Sequence, residues 1–388
     1  MDQGSVGDDA RPSRIGLAPV QDSSKGQPGI SDEIARRLTR VWKEVLGLDS
    51  VTPDQNYFDL GGDSVLAVNL FAQIEKTFGV KLPLATLFEA PTIEELAVIL
   101  RVEARPAGWS PLVKIQPSGS RPPFFCIHGA GGNVLIYHAL SQRLGADQPF
   151  YGVQALGLDG SCPPLAHIEE MAVLYAQEIR KVQPRGPYFL GGYCMGGTVA
   201  FETAQQLHAQ GEQVALLAMF DTMDWSNIPV PSAWGRAYYS LERLGFHAAN
   251  FFRLDGEHKS QFLKEKVKVL RNRIPVWRGM LLAKLNEPWG TGKSQSLVLA
   301  NIWKTNDLAC LHYVPRPYPG FITDFRPVRQ YQIFNRPDAK WDRWAKGGLD
   351  VVVLPSYPAG MLVEPFVKHL AVALEKSMDE AIRRAGPN

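Results

Sequence analysis

Gly191-Gly192-Tyr193-Cys194-Met195-Gly196-Gly197 is the stretch on which the reading of this chain turns. An apolar run ending in Pro187-Tyr188-Phe189-Leu190 leads into it, and helix-like Thr198-Val199-Ala200-Phe201-Glu202-Thr203-Ala204 leads out. A strand that turns sharply into a helix forces its corner residue into a strained backbone and leaves room only for small neighbours. Gly192 and Gly196 flank Cys194 accordingly, and Gly197 falls where helix and strand must pack. The pattern is a Gly-x-nucleophile-x-Gly elbow with sulfur where oxygen is usual. A bare G-x-C-x-G is a weak signal; between a strand and a helix it is specific.

Working outward, strand, turn and helix alternate from Pro122 onward. Apolar runs at 124–127, 150–155, 188–190, 214–220, 321–325 and 351–354 are each bounded by helices or loops. Their continuous rather than alternating hydrophobicity predicts strands buried on both faces of a parallel sheet. With its helices, this sheet gives the α/β-hydrolase class. The regularity breaks over about 222–296, where Trp225, Trp234, Trp277 and Trp289 stand among many Lys and Arg. So long and apolar an insertion is read as a helical lid over the site, shaping an acyl pocket. A structural insertion elsewhere on the domain is the alternative.

The chain before this domain is different. Residues 1–29 are rich in Gly, Asp, Ser, Pro and Gln and read as a flexible linker. Over 30–102, Ile34, Leu38, Val41, Trp42 and Val45 share one helical face, and Ala67, Phe71, Ile74 and Phe78 share another. Thr92 and Glu95 form a capping box before a further helix. Residues 103–121, with Pro106, Pro111 and Pro117, read as a linker between the two domains.

Composition sets the outer limits. At 388 residues and 45% hydrophobic content, the chain can fill two cores. A net charge of +2 gives no reason to expect nucleic acid or a polybasic membrane tether. No apolar run is long enough to span a bilayer, and the polar N-terminus is not a signal peptide. Cys126, Cys162, Cys194 and Cys310 show neither metal-ligand spacing nor a disulfide framework. The expectation is a soluble, cytoplasmic protein that binds no metal.

Leu60-Gly61-Gly62-Asp63-Ser64 resembles the attachment motif of acyl and peptidyl carrier domains, and the helical pattern from Ile34 to Leu100 fits their four-helix bundle. The resemblance implies a covalent 4'-phosphopantetheine arm on Ser64, installed by a phosphopantetheinyl transferase. The second domain resembles the terminal thioesterase domains of nonribosomal peptide and polyketide synthases. That likeness rests on Ile127-His128-Gly129-Ala130-Gly131-Gly132, the elbow at Cys194, Asp221 at a strand end, and Tyr318-Pro319-Gly320. It implies a thioesterase or acyltransferase that takes an acyl or peptidyl chain from the arm onto Cys194, with upstream synthase modules or a loading enzyme as partners. Intramolecular carrier–thioesterase contact would make that delivery efficient, because a tether raises the effective concentration.

The same resemblance assigns Asp221 as the acid and the N–H groups of Met195 and Ala130 as the oxyanion hole. Asp338 is the alternative acid, and His128 reads as a structural hydrogen-bonder rather than a base. The start of the helix after Cys194 is expected to favour the thiolate. One element of the family pattern fails. A histidine should stand shortly before Met361-Leu362-Val363-Glu364-Pro365, and Pro358 occupies that place. His247, His258, His312 and His369 are the other candidates for a base. Cysteine acylates with less help than serine, so this departure favours cyclisation or transfer to an amine over hydrolysis. The competing readings are a degenerate thioesterase that binds the carrier-linked chain without turnover, and a small-ester hydrolase fused to an unrelated helical domain.

Overall fold

The computed structural model describes residues 28–101, 109–227, 241, 245, 295–330, 340–356 and 360–385. The N-terminal domain consists of helices α1 (Pro28–Leu46), α2 (Ser64–Phe78), the single-turn α3 (Thr86–Glu89) and α4 (Ile93–Arg101). The faces read from the sequence are the ones that pack: Leu38, Val41, Trp42 and Val45 of α1 are buried against Ala67, Phe71 and Ile74 of α2. The capping box forms, with Glu95 N–H donating to Thr92 Oγ1 at 3.2 Å and Thr92 N–H donating to Glu95 Oε2 at 3.0 Å.

The second domain is built on a seven-stranded sheet in the order β1-β3-β2-β4-β5-β6-β7. Its strands are β1 (Leu112–Gln116), β2 (Phe124–Ile127), β3 (Phe150–Val153), β4 (Tyr188–Tyr193), β5 (Val214–Phe220), β6 (Ile322–Pro327) and β7 (Leu349–Leu354). All neighbours run parallel except β1, which pairs antiparallel with β3. Helices α5 (His138–Leu144), α6 (Ile168–Val182), α7 (Met195–Ala209), α8 (Gln295–His312) and α9 (Val367–Ala385) accompany the sheet. Two buried clusters result. One joins β4 and β5 to α6 and α7, and the other joins β2, β5 and β6 to α9.

All six expected strands are present. The seventh, β1, lies inside the stretch expected to be a linker, 103–121. Its residues Leu112-Val113-Lys114-Ile115-Gln116 are short and partly polar because they form an edge that needs only one apolar face. β7 also departs from the continuous burial expected of it: it ends the sheet, and Val353 is 60% exposed. Most of the expected lid, 228–294 apart from Leu241 and Gly245, lies outside the described residues, as do Asp338, Pro358, His247 and His258.

The two domains meet. Leu135, Ala155 and Leu158 of the second domain, with Val298, Leu299 and Ile302 of α8, belong to the same buried cluster as the core of the helical domain. Phe58 stacks on His138 at the start of α5, ring centroids 3.7 Å apart and planes within 10°.

Candidate active site

The strand order reverses between β3 on one side of β2 and β4 on the other, and a crevice opens at the carboxyl ends of strands that diverge in this way. Both halves of the expected site emerge there. β2 runs out into His128-Gly129-Ala130-Gly131-Gly132, and β4, in register with Ile127 opposite Gly192, runs out into Cys194. Tyr137 ties the two together: its Oη donates to Ile127 O at 2.5 Å and accepts from Tyr193 N–H at 3.0 Å.

Cys194 holds the elbow backbone, with φ of 54° and ψ of −119°, immediately before α7. Its N–H donates to Phe220 O at 2.9 Å, locking the corner to the end of β5. The flanking glycines are sterically required. A Cβ on Gly192 would lie 2.2 Å from the Gly196 carbonyl carbon, and one on Gly196 2.3 Å from Ile127 O. One on Gly197 would lie 2.0 Å from Thr222 Oγ1.

Asp221 follows β5 and is the second non-glycine residue with a positive φ among the described residues, at 45°. Its N–H donates to Phe325 O at 2.9 Å, and its Oδ1 accepts from the Gln330 side-chain amide at 2.6 Å. The chain beyond it is braced: Trp341 Nε1–H donates to Thr222 O at 3.2 Å, Trp344 Nε1–H donates to Asp224 at 2.8 Å, and Arg343 pairs with Asp224. Among the described residues, no imidazole is hydrogen-bonded to Cys194 or Asp221. His128 is fully buried, its Nδ1 2.7 Å from Gly129 O and its Nε2 2.7 Å from Tyr175 Oη. Burial pulls its pKa down to about 4, which agrees with the structural role read from the sequence. His312 ends α8, and His369 lies in α9.

The helix start acts in the expected direction without deciding the balance. The Met195 N–H does favour the thiolate, but burial outweighs it, and the charges of Asp221 and Asp307 add to burial. Together they push the Cys194 pKa up to about 12.

Helix α8 brings residues that the sequence did not single out. Asn306, fully buried, donates through Nδ2 to Ala130 O at 2.9 Å. Asp307, whose own pKa is raised by burial, acts on the charge of Cys194, while burial first and then the charges of Cys194 and Asp307 push up the pKa of the buried Cys310. Trp303 lies over Gly131, where a Cβ would meet its ring at 3.2 Å. Nothing in the local pattern marks these positions, because they follow the long insertion and their roles depend on where α8 crosses the sheet.

At the other domain's turn, Asp63 caps α2, its Oδ1 accepting from the N–H groups of Val65 and Leu66 at 2.8 Å each. Ser64 is therefore the first helical residue, half-buried, and its hydroxyl is not consumed by capping. Gly61 has φ of 79°, and a Cβ on Gly62 would lie 2.4 Å from the Tyr57 ring. The double glycine thus seats the turn on Tyr57, and the residues present fit an attachment site. Among the described residues there is no cluster of metal-ligating side chains, and no helix long and apolar enough to cross a membrane.

Comparison with known proteins agrees with this division. Residues 36–99 match the phosphopantetheine attachment site family, and residues 122–288 match the thioesterase domain family. The dimodular nonribosomal peptide synthase of Bacillus subtilis (strain 168) is 34% identical over 322 residues, which is 81% of this chain and 13% of that protein. Malpinin synthetase of Mortierella alpina is 45% identical over 187 residues, 48% of this chain and 2% of that protein. The chain therefore spans only a small part of the length of these relatives. Among solved structures, a four-domain nonribosomal peptide synthetase bound to AMP and glycine aligns with 96% of this chain and 27% of its own, at a TM-score of 0.55 and 26% identity. The chain is a carrier–thioesterase didomain of the nonribosomal peptide synthetase type: a domain for covalently attached 4'-phosphopantetheine followed by a thioesterase domain of the α/β-hydrolase fold.

Proposed function

We propose that this didomain releases an acyl or peptidyl chain from the arm on Ser64 through an acyl-enzyme on Cys194. The observation that carries the reading is the elbow: a cysteine at φ of 54°, its sulfur met by the Met195 N–H, beside the Ala130 loop. When bound, phosphopantetheine supplies a flexible arm whose terminal thiol carries the chain as a thioester. Cys194 Sγ attacks the thioester carbonyl, and the N–H groups of Met195 and Ala130 take the negative charge that develops on its oxygen. A carbon–sulfur bond to Cys194 forms as the bond to the arm breaks, and the thiol proton of Cys194 ends on the departing sulfur. The exchange is close to thermoneutral because one thioester replaces another.

The acceptor that frees the chain decides between hydrolysis, cyclisation and transfer to an amine. Burial and nearby carboxylates hold the Cys194 pKa well above its ordinary value, and Pro358 stands where the family pattern places a histidine. That combination favours an acceptor which is itself a good nucleophile, such as an amine, over water, which needs a base. The same two observations favour a second reading, in which the thioesterase domain holds the carrier-linked chain without turnover. Upstream synthase modules would supply the chain, and a phosphopantetheinyl transferase would install the arm. Intact-protein mass spectrometry after loading Ser64 separates the readings. An acyl group that moves to Cys194, and is absent from that position in Cys194→Ala, supports release through the acyl-enzyme. An acyl group that never leaves the arm supports the holding role.

A further inference from the structure

We infer that Asn306 is a positioning residue for the oxyanion hole; the inference rests on the acyl-enzyme reading above. The donor contributed by the β2 loop is the N–H of Ala130, which belongs to the Gly129–Ala130 peptide. That peptide is fixed from below. Gly129 O can only accept, so His128 Nδ1 carries the proton and donates to it at 2.7 Å, while Gly132 N–H donates to the same oxygen at 2.9 Å. His128 Nε2 then accepts from Tyr175 Oη–H at 2.7 Å, which fixes the tautomer.

The next peptide is fixed from above. Its carbonyl, Ala130 O, accepts from Asn306 Nδ2 at 2.9 Å. Residue 130 is thus held at both of its peptides by side chains from two different elements. On the second side the only hydrogen bond to Ala130 O among the described residues is the one from Asn306. Gly131, which follows, has no Cβ to brace the loop and instead receives the Trp303 ring from α8. Losing the Asn306 donor would let the Ala130–Gly131 peptide turn. The Ala130 N–H would then drift from the position that the oxyanion must occupy.

The arrangement has a consequence for delivery. The first half of α8, with Val298, Leu299 and Ile302, is packed into the carrier-domain cluster, and Asn306 follows Ile302 by one turn. The helix that receives the carrier also holds the oxyanion loop.

The test compares two reactions of the same sulfur in the full-length chain. Acylation of Cys194 by a soluble acyl-pantetheine thioester needs the oxyanion hole, whereas alkylation by iodoacetamide develops no oxyanion. Asn306→Ala is expected to slow acylation about 10- to 100-fold, in kcat and not in KM, while alkylation stays within about twofold. Asn306→Leu keeps the volume and removes the donor, so it is expected to fail in the same way if the hydrogen bond matters. If Asn306→Leu acylates as the parent does, or if acylation and alkylation fall together in both variants, the positioning role is overturned. An unchanged Cys194→Ala variant would instead overturn the acyl-enzyme reading itself, so the two failures are distinguishable.

Discussion

The chain presents two nucleophilic side chains, Ser64 and Cys194, each at the start of a helix after a double glycine, and the two turns are built in opposite ways. Ser64 is relaxed. Asp63 caps its helix, Gly61 absorbs the positive φ, and the hydroxyl is left half-exposed for an external partner. Cys194 is strained. It carries the positive φ itself, no side chain caps its helix, and the backbones of β2 and β5 press against it. A residue to be modified by another protein needs access and nothing more. Under the proposed function Cys194 attacks a carbonyl and needs one fixed direction, which strain held by packing would supply.

The comparison is broken most severely at the sulfur. Cys194→Ser keeps the elbow but replaces a thiol with an alcohol that ionises far less readily. Its acylation by a soluble thioester is expected to fall on the order of 1000-fold, read by the rate of mass gain on the protein. A serine that acylates at the parent rate would mean that a base outside the described residues serves the site.

The glycines give the next largest effect. In Gly192→Ala the new Cβ would meet backbone, the Gly196 carbonyl carbon at 2.2 Å, and backbone on both sides of the elbow cannot yield. A loss of about 3 kcal/mol is expected for the thioesterase domain in denaturant titration. In Gly62→Ala the clash is with the Tyr57 ring at 2.4 Å, a side chain that can swing at the cost of its bond to Asp63 O. About 1–2 kcal/mol is expected there, in the carrier domain. Equal losses would erase the distinction between a relaxed and a strained turn.

Electrostatics sharpen it further. With a pKa of about 12, Cys194 should be alkylated about tenfold faster per pH unit across roughly pH 7 to pH 10, with no plateau. Asp221 contributes negative charge that disfavours the thiolate, so Asp221→Asn lowers the pKa. At fixed pH it should speed alkylation several-fold, by about the factor its charge contributes. A conventional triad would show the reverse, because the acid there supports an imidazolium that stabilises the thiolate. Slower alkylation in Asp221→Asn would therefore point to a histidine acting from outside the described residues.

The fold was largely readable because its cues are local. Unbroken apolar runs mark strands covered on both faces, and all six runs became strands; the edge strand at Leu112–Gln116 escaped because edges are half polar and one-sided. The positions of the elbow, Asp221 and the glycine loop were readable because each sits at the end of a strand, where spacing alone fixes position. Asn306, Asp307 and Gln330 were not. Each acts through a contact with a residue more than 100 positions away, and no local pattern encodes where α8 or the loop after β6 will cross. The electrostatic balance at Cys194 was only partly legible for a related reason. A helix start is visible in sequence, but the burial and the two carboxylates that outweigh it are assembled only by the fold.

The smallest expected effect tests the relaxed side alone. Asp63 Oδ1 satisfies two of the first N–H groups of α2, those of Val65 and Leu66. In Asp63→Ala these amides fall to water, since the turn is half-exposed, and the carrier domain should lose about 1 kcal/mol. Asn retains an acceptor oxygen at the same place, so Asp63→Asn should stay within a few tenths of a kcal/mol of the parent. Neither change touches the elbow, so alkylation of Cys194 should be unaltered while the first turn of α2 frays. Pantetheinylation of Ser64 would then slow in Asp63→Ala and not in Asp63→Asn. If both variants were modified at the parent rate, the cap would serve stability only, and access at Ser64 would owe nothing to the order of its helix.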